Sequence, residues 1–342
     1  MLKSTSKFIP LLIILGMILV FILSLIRGTI LVKKSEKEIN PKKQISEAQA
    51  EGYSLKEIDA KTGQLRWKLI AKQGATEENL QAALVKDIIA EIYKGNEVAF
   101  NLTAPSAKAN TATKEILLFG NVTAKDKEGN FLLKSSEVAL GMGASLEAQK
   151  GFNLVLKNNG TISGENALIN DDQTKIEIVN LEEAAFKDII LSGKKVLIIK
   201  EQNGDIKNAI ISDGGKIILK DQKNSSLYAN SIKWEENGNV EATTNVTYTS
   251  EDKIFKAGYL QLKPDKTIFA KDNVLILHGK TQCTGKSFTY GNDSKVVLTG
   301  RPKATQGDKQ ITADKIIYDI NTEKVEAFGN VQTTIIHNTG DS

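Results

Sequence analysis

In the segment GQLRWKLIAK, residues 63–72, Leu65, Trp67, Leu69 and Ala71 fall on one face of an extended chain. Gln64, Arg66, Lys68 and Lys72 fall on the other, and Ile70 is the exception. That two-residue period predicts a half-buried β-strand. Each of its three large apolar side chains contributes roughly 1.5–3 kcal/mol once buried, so the face must cover an apolar interior. From Glu51 onward, short Val/Ile/Thr/Leu runs alternate with turn signals at Glu128-Gly129, Asn159-Gly160, Asn203-Gly204, Asp213-Gly214 and Asn237-Gly238. The pattern predicts an all-β chain. Only residues 75–87, ATEENLQAALVKD, hold enough helix formers to open a short helix, and there helix and strand both remain open.

The second half repeats. Ala229, Ala257, Gly285 and Ala313 lie 28 residues apart, each followed by an alternating run. Asn245, Asn273 and Arg301 come 16 residues after the first three, and Asn330 comes 17 after the fourth. Such a unit is two strands of about ten residues plus their turns. A hairpin of that size cannot bury its face alone, so stacked hairpins sharing one apolar interior are expected. The first half follows the same grammar more loosely: LLFGNVTA at residues 117–124 nearly duplicates EAFGNVQT at 326–333.

A different period governs the N-terminus. Residues 8–26, FIPLLIILGMILVFILSLI, run without a charge. At about 1.5 Å per residue this spans roughly the 30 Å of a bilayer's hydrocarbon core. The segment RGTILVKK that follows has no small-x-small cleavage pattern, so an uncleaved membrane helix is expected. Lysines and arginines flank it on both sides and do not decide its orientation. Residues 28–50 are charged and poor in apolar side chains, as a tether would be. The expected organisation is therefore 1–27 tip and helix, 28–50 linker, 51–200 first β-domain and 201–342 second, with the Gly-rich tract from Glu201 to Asp221 between them.

Composition narrows the chemistry. With 45 basic and 41 acidic residues the net charge is +4, which gives no reason to expect nucleic-acid binding. One cysteine, Cys283, and two histidines, His278 and His337, leave almost no material for a thiolate cluster, a zinc site or a Ser-His-Asp triad. They are expected to be structural, with no metal or cofactor. No GxxxxGK[ST] phosphate loop is present, so energy for any directed movement must come from a partner.

The membrane helix, GQLRWKLIAK, SAKANTATKEILLFGNVTA and GNFLLKSSEVAL together resemble the LptC family, the membrane-anchored periplasmic component of lipopolysaccharide export. ITADKIIYDINTEKVEAFGNVQTTI is similar to the OstA/LptA repeat. The chain adds about four hairpins beyond an ordinary LptC domain. The resemblance implies an elongated antiparallel β-jellyroll, a β-taco of stacked hairpins, whose trough holds acyl chains. It also implies an inner-membrane location with the β-domain in the periplasm, and no enzymatic activity. The partners it implies are lipopolysaccharide, an inner-membrane ABC transporter and an LptA-like bridge protein joined by edge-strand pairing. Leu65, Trp67, Leu69, Leu117, Phe119 and Val122 are the candidate trough residues. The alternative is a membrane-tethered structural or adhesive β-repeat protein with a solid core. A carbohydrate-active β-enzyme would need converging carboxylates. Of the available ones, Asp213 fits a turn, Asp314 belongs to the repeat grammar, and Asp319 alone makes no pair.

Overall fold

A computed structural model describes residues 49–335 except 77–81, 111–112, 114, 141–144, 158, 171, 202–203 and 221–224. The expected membrane helix and most of the tether lie outside the described residues. Glu47–Ser342 forms one compact unit.

The described residues fold as a single 23-stranded antiparallel sheet. A meander runs through β1 (Gln49–Ile58), β2 (Leu65–Thr76), β3 (Ala82–Lys94), β4 (Glu97–Asn110), β5 (Ile116–Asp126), β6 (Phe131–Leu140) and β7 (Leu146–Leu156). It continues through β8 (Gly160–Ile169), β9 (Lys175–Phe186), β10 (Ile189–Lys200) and β11 (Ile206–Leu219). Next come β12 (Ser225–Ala229), β13 (Ser231–Glu235), β14 (Val240–Ser250), β15 (Lys253–Leu262), β16 (Ile268–His278) and β17 (Thr281–Tyr290). The last are β18 (Lys295–Thr299), β19 (Lys303–Gln306), β20 (Lys309–Thr312), β21 (Lys315–Asp319), β22 (Lys324–Phe328) and β23 (Gln332–Ile335). The residues left open between helix and strand are strand wherever described: Ala75 and Thr76 end β2, and Ala82 opens β3.

This sheet is creased along its middle. Pairing registers shift at mid-strand, between Phe119 and Val122, Ala148 and Phe152, Thr243 and Val246, and Lys271 and Val274. At these points the chain places consecutive left-handed residues: Gly120-Asn121, Lys150-Gly151, Thr244-Asn245 and Asp272-Asn273. Neighbouring strands cross the crease on small residues. A Cβ on Gly164 would lie 2.8 Å from the Asn180 carbonyl oxygen, and one on Gly285 would lie 3.1 Å from that of Thr299. The two halves therefore fold over and pack face to face. Phe255 in the first half of β15 and Phe288 in the second half of β17 have ring centroids 5.3 Å apart, although β16 separates their strands. Beyond β17 the halves part into two ladders, β18–β21–β22 and β19–β20–β23.

The 28-residue repeat thus marks the crease. Residues 16 apart are the two crease positions of one hairpin, as the Asn230 N–H to Thr244 carbonyl bond of 3.0 Å illustrates beside Ala229 and Asn245. Asp213-Gly214, read above as a turn between strands, is also a crease, inside β11. Asn is suited to φ of about +60° because its short amide tolerates the left-handed region, whereas a β-branched side chain does not. Asn273 has φ 56°. Replacing it with Val is expected to destabilise the fold by about 1–2 kcal/mol, and Asn273→Gly by no more than a few tenths. Urea unfolding midpoints of the two variants distinguish these outcomes.

Candidate functional site

Alternation converts the creased sheet into an interior. Buried apolar side chains form one continuous cluster from Trp67 to Ile320, contributed by nearly every strand. Of the six candidate trough residues, Trp67, Leu69 and Val122 are buried in that cluster. Leu65 shares their face at the start of β2 and is half-buried. Leu117 and Phe119 are half-buried on the opposite face, because Ile116 and Leu118 take the interior positions of β5. The structure thus brings four of the six onto one side of the sheet.

The N-terminal edge holds a feature that the alternation does not reveal. Glu57 is 5% exposed and lies opposite Trp67 on β1. The Trp67 Nε1–H donates to Glu57 Oε2 at 2.6 Å, and the Arg66 guanidinium stands 4.0 Å from Glu57 Oε1. A buried carboxylate needs such partners. Arg66 also bonds the Asp59 carboxylate. Backbone N–H groups of Thr62 and Lys61, then Arg66, hold Asp59 well below the usual carboxylate range. The one sequence signal was an acidic residue on the apolar phase of a strand, Tyr53, Leu55, Glu57, next to an arginine.

Because the long strands bend at the crease, the hairpin turns form two lips that meet along a seam. The Asn159 side-chain amide of one lip donates to the Gly204 carbonyl of the other at 3.3 Å. Phe186 and Trp234 stack across the seam with centroids 6.2 Å apart. Nearer the C-terminus, Nδ1 of buried His278 lies 2.7 Å from the Tyr318 hydroxyl, and its Nε2 lies 3.1 Å from Asp252 Oδ2. His278 is therefore a seam clasp, in keeping with the structural role expected of it; His337 lies outside the described residues. Cys283 is buried in the interior, where desolvation pushes its thiol up to about 12.

The three carboxylates considered for catalysis are each occupied and stand apart. Asp213 pairs with Lys195 Nζ at 2.6 Å on the crease. Asp314 accepts from the Asn330 side chain at 2.8 Å, also on the crease. Asp319, at the other end of β21, accepts from the backbone N–H groups of Asn321 and Thr322. Among the described residues, no group of three or more His, Cys, Asp or Glu is placed to hold a metal ion.

A creased antiparallel sheet closed over a continuous apolar interior defines a jellyroll-type β-scaffold. Residues 11–139 match the family model described as "Lipopolysaccharide-assembly, LptC-related". Among solved structures, the chain is similar to LptH, the LptA-homologous periplasmic component of the lipopolysaccharide transport device from Pseudomonas aeruginosa. That similarity has 18% identity and a TM-score of 0.31, covering 32% of this chain and 94% of that one. A comparison with curated proteins finds no match.

Proposed function

We propose that the protein is the membrane-anchored, lipopolysaccharide-binding component of an export system. It receives lipid from an inner-membrane ABC transporter and passes it along the apolar interior toward the outer membrane. The observation that carries this reading is the continuity of the interior: one apolar cluster runs from Trp67 to Ile320 under a seam of non-covalent contacts. Each methylene exposed to water costs about 0.8 kcal/mol. A run of ten would cost on the order of 8 kcal/mol. An interior of constant cross-section removes that barrier by exchanging one apolar environment for another, while sugars and phosphates stay outside the lips.

Two further features support the reading. Among the described residues both ends of the sheet are unpaired edges: β1 pairs only with β2, while β22 pairs only with β21 and β23 only with β20. Apolar side chains at the last edge remain open to water, Phe328 at 47% and Ile335 at 55%. Such an edge is a liability unless a neighbouring β-domain covers it by strand addition. We assign that neighbour to an LptA-like bridge at the C-terminal edge and to the transporter at β1. In addition, the family match begins at residue 11, inside the apolar run at 8–26 that we take as the inner-membrane anchor. On this view residues 51–200 act as the LptC-like segment and 201–342 as an LptA-like extension of the same sheet.

Site-specific photo-crosslinking in cells tests the proposal. A benzophenone amino acid at Trp67, on the interior face, is expected to capture lipopolysaccharide, and the same label at Arg66 is not. If neither position of a folded, expressed chain captures lipid, the interior is a sealed core, and the structural or adhesive repeat becomes the better account.

A further inference from the structure

Between β9 and β16 the lips do not close flush. A recess of about 360 Å³ opens on the seam there, lined from one lip by Phe186, Ile189 and Leu219 and from the other by Ile206, Trp234 and Leu262. The five aliphatic and phenyl side chains are interior residues reached from outside, and half-buried Trp234 lies across them against Phe186. Around the rim stand three ammonium groups, Lys187, Lys263 and Lys266, against two carboxylates, Asp188 and Glu236. A second recess along the same seam, about 440 Å³ between β3 and β11, has a different character. There Asp126, Glu128, Asp172, Lys157, Lys200 and Asp205 dominate the lining, and burial holds the Lys200 ammonium below its ordinary value. Only the first recess joins an apolar floor to a cationic rim.

The geometry points to a side port: a binding site for a phosphorylated acyl lipid. The acyl chain lies on Phe186 and Ile189 beneath a displaced Trp234, and the phosphate lies on Lys187 with the other rim ammonium groups around it. The volume falls in the range of sites that take small ligands, and it matches one chain segment better than a whole multi-acyl lipid. An aromatic stack is a suitable shutter, because its ring can slide off an apolar partner without leaving a buried polar group unpaired. Hydrogen-bonded lip contacts such as Asn159 to Gly204 lack that property. Lipid would therefore enter or leave the interior sideways here, within the chain and away from both edge strands. This inference rests on the transport reading and adds a place where the seam opens.

The test uses the full chain in cells with benzophenone labels at Trp234, at rim residue Lys263, at Trp67 and at outward-facing Tyr228. Adducts are scored for lipopolysaccharide by immunoblot and for membrane phospholipid by mass spectrometry of the released lipid. Capture at Trp234 or Lys263 but not Tyr228 is expected, falling at least fivefold in the background Lys187→Glu with Lys266→Glu, while capture at Trp67 changes less than twofold. Which lipid is found identifies the source of the phosphate. Labelling at Trp67 alone overturns the side port and leaves the transport reading intact; labelling at neither interior position overturns both. Capture at Trp234 and Lys263 that ignores the charge reversal means lipid passes under the lip without a headgroup site, and the port is rejected. The Lys263 label keeps the test decisive should the Trp234 variant fail to fold.

Discussion

Leu118→Asp is expected to leave the β-domain unfolded, whereas Leu117→Asp, one residue earlier, is expected to cost no more than about 1 kcal/mol. Leu118 is 0% exposed, and its neighbours across the ladder are Ala107 and Val138. The substitution loses the roughly 1.5–3 kcal/mol of a buried leucine. It also places a carboxyl group among hydrocarbon, where it must be neutralised or remain unpaired, adding several kcal/mol. A domain stable by 5–15 kcal/mol has little margin against that total. Leu117 is half-buried on the outer face opposite Lys108 and Ala139, where a carboxylate keeps its water. Urea denaturation and limited proteolysis of the two variants are the measurements. Equal loss in both would show that β5 presents the other face inward.

That pair of residues also marks where the sequence stops being readable. In residues 65–69 polar side chains separate the apolar ones, so the period assigns Trp67 and Leu69 to the interior, as found. In residues 116–119 four apolar side chains follow one another, and alternation alone cannot choose between Leu117 with Phe119 and Ile116 with Leu118. The choice depends on what Gly120-Asn121 does. As a hairpin turn it would end the strand; as a left-handed pair inside the strand it consumes two residues and preserves the phase. Interior positions then run Ile116, Leu118, Val122, Ala124, and likewise Val240, Ala242, Val246, Tyr248 and Ile268, Ala270, Val274, Ile276. In β9 the one left-handed residue, Asn180, brings Leu181 to the interior out of phase, and Ala184 and Phe186 then return to the phase of Ile176 and Ile178. The 28-residue spacing was visible because hairpins of constant length cross the crease at constant intervals. Its meaning was hidden because turns and creases use the same Gly, Asn and Asp residues for the same φ.

The seam yields the second large effect. Pairing cysteines introduced at Asn159 and Gly204 is expected to cut lipopolysaccharide export at least tenfold, with recovery on reduction. These positions lie on opposite lips and are joined by one hydrogen bond of 3.3 Å. Such a bond contributes only about 0.5–1.5 kcal/mol net, so under the proposed function a lipid with its acyl chains inside and its sugars outside parts it as it advances. A covalent link at the same place cannot be parted. The proposed periplasmic location is oxidising and would favour the bond, and a short thiol-reactive crosslinker closes the pair if the disulfide geometry is unsuitable. Native Cys283 does not compete, being buried with its thiol pushed up to about 12. Gly204 has φ 96°, which strains any side chain there. The reduced double variant carries that same strain and is therefore the proper control, so the difference between its oxidised and reduced states isolates seam opening. If the locked chain exports as well as the reduced one, the headgroup does not travel outside these lips. The lipid must then either bypass the interior or leave it before reaching β7.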